Sequence, residues 1–146
     1  MSADNGNTVP PLGRRSPTPG ITAPDGSEIR PLVDERQGAS KSSLVEVALG
    51  SGEVTRPVRR RAVEEVWYVL EGAGSVWRCP PDADPEIVPP ADVVPGDALA
   101  IPTGWSFQFS AGNDGPLRFL CHTTPRWPGE DEAVLVERGW LAEATV

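Results

Sequence analysis

The fifteen residues VRRRAVEEVWYVLEG (58–72) hold the side chains best placed by type and spacing to do chemistry. Glu65 lies in a run that alternates as a β-strand does, with Glu65, Trp67 and Val69 on one face and Val66, Tyr68 and Leu70 on the other. Both faces are largely apolar, so the strand is expected between two layers. A carboxylate there needs a cation, a metal ion or hydrogen-bond donors beside it, or else it takes up a proton. Arg60, five residues earlier, is a permanent cation whose fork matches a carboxylate. An inward-pointing Arg60 could hold a ligand's carboxylate or enolate-like oxygen while Glu65 moves a proton. It could equally form an internal ion pair that only plugs the interior. Arg59 and Arg61 are expected to face away as solvated charges.

The chain has one histidine, His122, in PLRFLCHTT (116–124). Pointing inward, it would be a second acid/base group titrating near neutral pH; otherwise it is an ordinary hydrogen-bonded residue. Tyr68, on the opposite face from Glu65, is a poor catalytic candidate. Trp105, Phe107 and Phe109 follow one another closely in WSFQF (105–109), with Phe107 and Phe109 on one strand face. With Trp67 they can line an apolar pocket, or they are core filling. Trp77 is expected to pack between sheets.

Short β-type runs separated by Gly/Pro turns must position these groups. They are SLVEVAL (43–49), EEVWYVLEG (64–72), SVWRC (75–79), DALAIPTG (97–104), FQFSAG (107–112) and PLRFLCHTT (116–124). PPDADPEIVPP (80–90) contains five prolines and reads as loop. Strand-length segments at this spacing, with no long amphipathic helix, indicate an antiparallel sandwich or barrel. EDEAVLVERGW (130–140) is the one candidate for a short terminal helix, led in by the turn and acidic start of RWPGEDEA (126–133).

At 146 residues the chain has room for one domain and one substantial core. Residues 1–28 hold few bulky apolar residues and are expected as a Pro/Gly-rich arm, disordered or loosely draped, ahead of a domain over 29–146. A formal net charge of −8 argues against nucleic-acid backbones and anionic membranes as partners, leaving a small molecule or a protein. No apolar run approaches the ~20 residues of a membrane span, and the N-terminus lacks a signal peptide's apolar core; a soluble, cytoplasmic protein is expected. Cys79 and Cys121 fit no zinc spacing and read as small semi-buried residues in a reducing compartment.

The glycine and proline frame over roughly residues 40–125 resembles the cupin family, a small antiparallel β-barrel. Gly52, Val58, Arg60, Glu65 and Gly72 fall on the family's first motif, G-x5-H-x-H-x4-E-x6-G, with both histidines replaced. Gly96, Pro102 and Gly104 match the second, G-x5-P-x-G-x2-H-x3-N, where Phe107 stands for the histidine and Ala111 for the asparagine. The resemblance implies a cupin-like barrel with a cavity behind these positions, into which Val58 and Val69 would add apolar lining beside the aromatics. It also implies a homodimer paired through outer sheets. The family's metal is not carried over, because three of its four ligands are absent. No metal and no other cofactor is expected.

Three functions fit these residues. One is a metal-independent enzyme acting on a hydrophobic, possibly acidic small molecule by cyclisation, isomerisation or dehydration, with Glu65, Arg60 and His122 as its polar groups. An Ala/Val/Pro/Arg/Gly-rich composition, typical of a high-GC genome, places such a barrel in secondary metabolism by analogy alone. The second is a non-catalytic binder or sensor using the same pocket. The third is a structural partner protein with a plugged barrel.

Overall fold

The computed structural model describes residues 8–18, 20–140 and 143–146, with Glu130 described for its backbone only. Two antiparallel sheets face one another. The first has the order β1 (Ile21–Thr22), β2 (Glu28–Val33), β3 (Ser43–Leu49), β10 (Leu117–Thr124), β5 (Glu64–Glu71) and β8 (Ala98–Ile101). The second has the order β11 (Ala133–Leu135), β4 (Val58–Arg60), β9 (Ser106–Ala111), β6 (Gly74–Cys79) and β7 (Ala91–Val93). The chain therefore crosses between sheets at each hairpin that matters for the site. It passes from β4 in one sheet to β5 in the other, and from β8 to β9. This is the all-β, cupin-like architecture expected from the glycine frame.

That frame has a conformational cause. Gly52, Gly72, Gly96 and Gly104 all adopt left-handed φ, between 74° and 95°, where a side chain is strained. At Gly72 a Cβ would also lie 2.0 Å from the Pro116 carbonyl oxygen, so the β5 exit admits no other residue without backbone movement.

The space between the sheets is filled by inward residues. Trp67 stacks on Phe119 with ring centroids 4.0 Å apart and meets Phe107 and Phe109 edge-on at 5.8 and 5.1 Å. Val58, Val69, Val76, Ile101 and Leu117 belong to the same core, with Val47, Leu49 and Val93 among the others. Trp77 is fully buried but does not belong to that cluster. Its β6 neighbour Val76 points inward, and the register places Trp77 beside Gln108 on the outer face of the second sheet. There Gln108 accepts the Trp140 amide N–H at 2.8 Å. Trp77 thus packs outside the sheets, a consequence of strand alternation.

The outer face of β5 also differs from expectation. Val66 and Tyr68 are 43% and 49% exposed, because no layer among the described residues covers them. The expected terminal helix is replaced by a single 3-10 turn, Glu130–Glu132, and by β11, which pairs Ala133 with Arg60 and Leu135 with Val58. The β-branched Val134 and an open strand edge favour that outcome over a helix too short to bury a face.

Residues 1–7 and 19 of the expected N-terminal arm lie outside the described residues. The rest is draped on the barrel. Ile21 and Thr22 pair with β2, and Ala23, Asp25 and Ser27 are buried. Arg15 joins Arg118 around the buried carboxylate of Glu46, at 3.0 and 3.1 Å. The C-terminal residues hold the other side, with Thr145 bonded to Val54 and Arg56 Nε donating to the Val146 carbonyl. The beginning of the barrel unit therefore lies N-terminal to residue 29.

Candidate active site

Strand alternation delivers a cluster of side chains to the interior from both sheets. On β4, Val58 and Arg60 point inward while Arg59 lies between them on the other face. On β5 the inward set is Glu65, Trp67 and Val69; on β9 it includes Phe107 and Phe109; on β10 it is Leu117, Phe119, Cys121 and Thr123. A cavity of about 440 Å³ opens among them, closed on one side by the N-terminal segment through Ala23, Asp25 and Ser27.

Arg60 Nε donates to Glu65 Oε2 at 2.7 Å, with both side chains almost fully buried. The other Glu65 oxygen accepts the Trp67 indole N–H at 2.8 Å and the Cys121 thiol at 3.4 Å. The guanidinium also lies between two aromatic faces, its Cζ 5.0 Å from the Phe107 ring centre and 4.8 Å from that of Trp127. Such sandwiching favours a desolvated cation. Burial works against the charge of Arg60, but the adjacent Glu65 outweighs it and raises the affinity for the proton. Among the described residues, the terminal nitrogens of Arg60 carry no hydrogen bond. They are strong donors left for whatever enters the cavity.

Asp25 reaches the same cavity from the N-terminal segment and is 3% exposed. Its Oδ1 accepts both the Ser27 amide and the Ser27 hydroxyl, at 2.9 and 2.7 Å. Burial raises its carboxyl above the ordinary aspartate range; the Ser27 bonds and the charge of Arg60 oppose this, and Glu65 adds to it. Burial, reinforced by Glu65, pushes the Cys121 thiol well above its ordinary value, so it stays protonated and donates.

The sequence-derived residues separate into two groups. Glu65, Arg60, Trp67, Phe107 and Phe109 all line the cavity. Val58 and Val69 are buried in the core behind it, and Trp105 packs against that core, so none of the three forms its wall. His122 is on the outer face, exposed and paired in register with Val66, because Cys121 and Thr123 occupy the inward positions of β10. It has no part in the interior site.

The reading also missed Asp25, Cys121, Phe119 and Trp127. Alternation along β10 carries the signal for Cys121 and Phe119, since Leu117 and Thr123 share their parity. Asp25 lies in a stretch whose Pro/Gly content masks it, and Trp127 reaches Arg60 only through the turn after β10.

The donor set does not suit a metal ion. At the four motif ligand positions stand Val58, Arg60, Glu65 and Phe107, and Glu65 is already bound by a cation and two further donors. Among the described residues no three His, Cys, Asp or Glu side chains gather as a metal site.

No family model matches the chain. It is 30% identical over 112 residues to an uncharacterized protein of Methanocaldococcus jannaschii, MJ1618, covering 76% of this chain and 83% of that one. The polyketide cyclase RemF from Streptomyces resistomycificus is similar in structure, with a TM-score of 0.60 and 26% identity, covering 90% of this chain and 83% of RemF. An oxalate decarboxylase of Bacillus subtilis superposes with a TM-score of 0.71 at 17% identity, covering 93% of this chain. The chain spans only 35% of that decarboxylase's length, and at this identity the likeness shows the fold alone. The chain thus has the cupin-like fold that its two motif frames imply, and it belongs to one family with the M. jannaschii protein.

Proposed function

We propose that this chain is a metal-independent enzyme that rearranges a flat, largely apolar carbonyl compound in its cavity, with ring closure of a polyketide-like substrate as the leading reaction. The observation that carries this reading is the Arg60 guanidinium. It is buried, held through Nε by Glu65 and sandwiched by Phe107 and Trp127, with its terminal nitrogens free among the described residues. A preorganised cation in an aromatic cavity favours a developing enolate or alkoxide over a neutral carbonyl. Glu65, oriented by three donors, is the carboxylate beside it that can take a proton from carbon. The likeness to the polyketide cyclase RemF supports a cyclase over an isomerase or dehydratase. A place in secondary metabolism rests on the same likeness. The resemblance further points to a homodimer, for which the exposed Val66 and Tyr68 on β5 offer the surface.

A second reading is favoured by one specific feature. Both oxygens of Glu65 are already engaged, which weakens it as a base and fits a non-catalytic binder of the same class of ligand. An aryl-substituted linear triketone separates the two, because its aldol closure to a resorcinol changes the absorbance. Closure faster than in buffer, lost in a folded Arg60→Met variant, supports the enzyme. Saturable binding without acceleration rejects it in favour of the binder.

A further inference from the structure

We propose that Asp25 is a second catalytic carboxyl of this cavity, the group that hands a proton to the substrate's carbonyl oxygen. The inference deepens the enzymatic reading above and rests on it. Three observations carry it. Asp25 lines the cavity that holds Arg60 and Glu65, and it is 3% exposed. Its Oδ1 is occupied by two donors from Ser27, so a proton on this carboxyl resides on Oδ2. Oδ2 itself has no partner among the described residues, which leaves it as a donor for a ligand.

Two carboxyls in one cavity are thus placed in opposite environments. Glu65 has a guanidinium, an indole N–H and a thiol to hold its negative charge. Among the described residues the Asp25 carboxyl accepts hydrogen bonds from Ser27 alone, and burial favours its neutral form over the opposing effect of those bonds and of the Arg60 charge. Environments that separate two carboxyls in this way divide the work of acid and base between them.

The proton inventory of an aldol closure balances with these two groups alone. In enolisation, Asp25 gives its Oδ2 proton to the carbonyl oxygen while Glu65 takes a proton from the α-carbon. The resulting enol carbon then forms a C–C bond to a second carbonyl of the same substrate. That carbonyl's oxygen takes the proton held by Glu65, and the enol O–H returns its proton to Asp25. Both carboxyls end as they began, and no oxidant, reductant or metal enters. Arg60 supplies donors to whichever oxygen carries the developing charge.

Asp25→Asn is the informative variant, because its side-chain oxygen can keep both Ser27 bonds while the acid is lost. Two measurements on the full chain at neutral pH test the inference. In the infrared, the wild type is expected to show the carbonyl stretch of a buried neutral carboxyl, lost in Asp25→Asn and kept in Glu65→Gln. Absence of that band, or its survival in Asp25→Asn, overturns the assignment. The second measurement is deuterium exchange at the methyl group of acetonaphthone, an aryl methyl ketone, followed by NMR. The wild type is expected to accelerate exchange over buffer, and Asp25→Asn to lose roughly a hundredfold of that acceleration, in line with the size of general acid catalysis. Binding of the ketone, read from its fluorescence, should persist. A folded Asp25→Asn that exchanges as fast as the wild type removes Asp25 from the mechanism and leaves the enzymatic reading standing. A wild type that binds the ketone without accelerating exchange removes both.

Discussion

Arg60 and Glu65 are five residues apart in the chain, yet their 2.7 Å ion pair joins the two sheets, Arg60 standing on β4 of one and Glu65 on β5 of the other. The pair therefore serves the fold as well as the cavity. Arg60→Met leaves a buried carboxylate without its cation and should cost about 3–5 kcal/mol of stability. The double variant Arg60→Met with Glu65→Leu should recover most of that loss while remaining inert toward the triketone. Thermal midpoints of the three proteins check this; a double variant no more stable than the single one would contradict it.

The hairpin between those strands is held from outside. Glu132 is buried, and its Oε2 accepts the amides of both Ala62 and Val63 at 2.7 Å. Glu132→Ala strands two amides at the corner that orients Arg60 toward Glu65, at a cost of about 1–3 kcal/mol for each that stays unpaired. Denaturant unfolding should show the loss, and Glu132→Gln, which retains an acceptor, should show much less of it.

Asp25 makes stability depend on pH in an unusual direction. Its folded pKa is raised by burial, so the folded state binds more protons than the unfolded one between the ordinary aspartate value and the raised value. Its contribution is fully present below the ordinary value and is lost as pH rises through the raised one. Asp25→Asn should therefore raise the thermal midpoint at neutral pH and change it little at a pH at or below the ordinary aspartate value. An equal shift at both pH values would show that titration of Asp25 is not the cause.

Neither cysteine should react while the protein is folded. Cys79 and Cys121 are 2% and 3% exposed, and burial raises both thiols above their ordinary values. Iodoacetamide and mass spectrometry should find no alkylation in native buffer and two modified sites in denaturant. Rapid native labelling of Cys121 would mean that the cavity opens further than the structure shows.

The exposed patch on β5 has a direct test. Tyr68→Lys places a charge in the surface where the second copy is expected, so light scattering should report a dimer for the wild type and a monomer for the variant. A monomeric wild type would remove the dimer altogether.

Much of this protein is legible in one dimension because its information is local. Left-handed φ at Gly52, Gly72, Gly96 and Gly104 demands glycine at those turns, so the barrel frame persists in the sequence although the ligand positions between have changed. Alternation likewise delivers Glu65, Trp67, Phe107 and Phe109 to the interior, and it excludes His122 once Cys121 is known to face inward. Other features depend on which surfaces meet. Val66 and Tyr68 look like a second buried face, but their exposure depends on whether another layer covers the sheet. Asp25 and Trp127 sit in segments without periodicity and are brought to Arg60 by the path of the chain around the barrel. The sequence by itself determined the turns and the alternation that groups Glu65 with Trp67 and Phe107 with Phe109, because both follow from backbone sterics at short range; that Arg60 turns inward to pair with Glu65 was settled by the fold. Only the tertiary structure decided that a second carboxyl shares the cavity, because that depends on a contact between distant segments that no local pattern encodes.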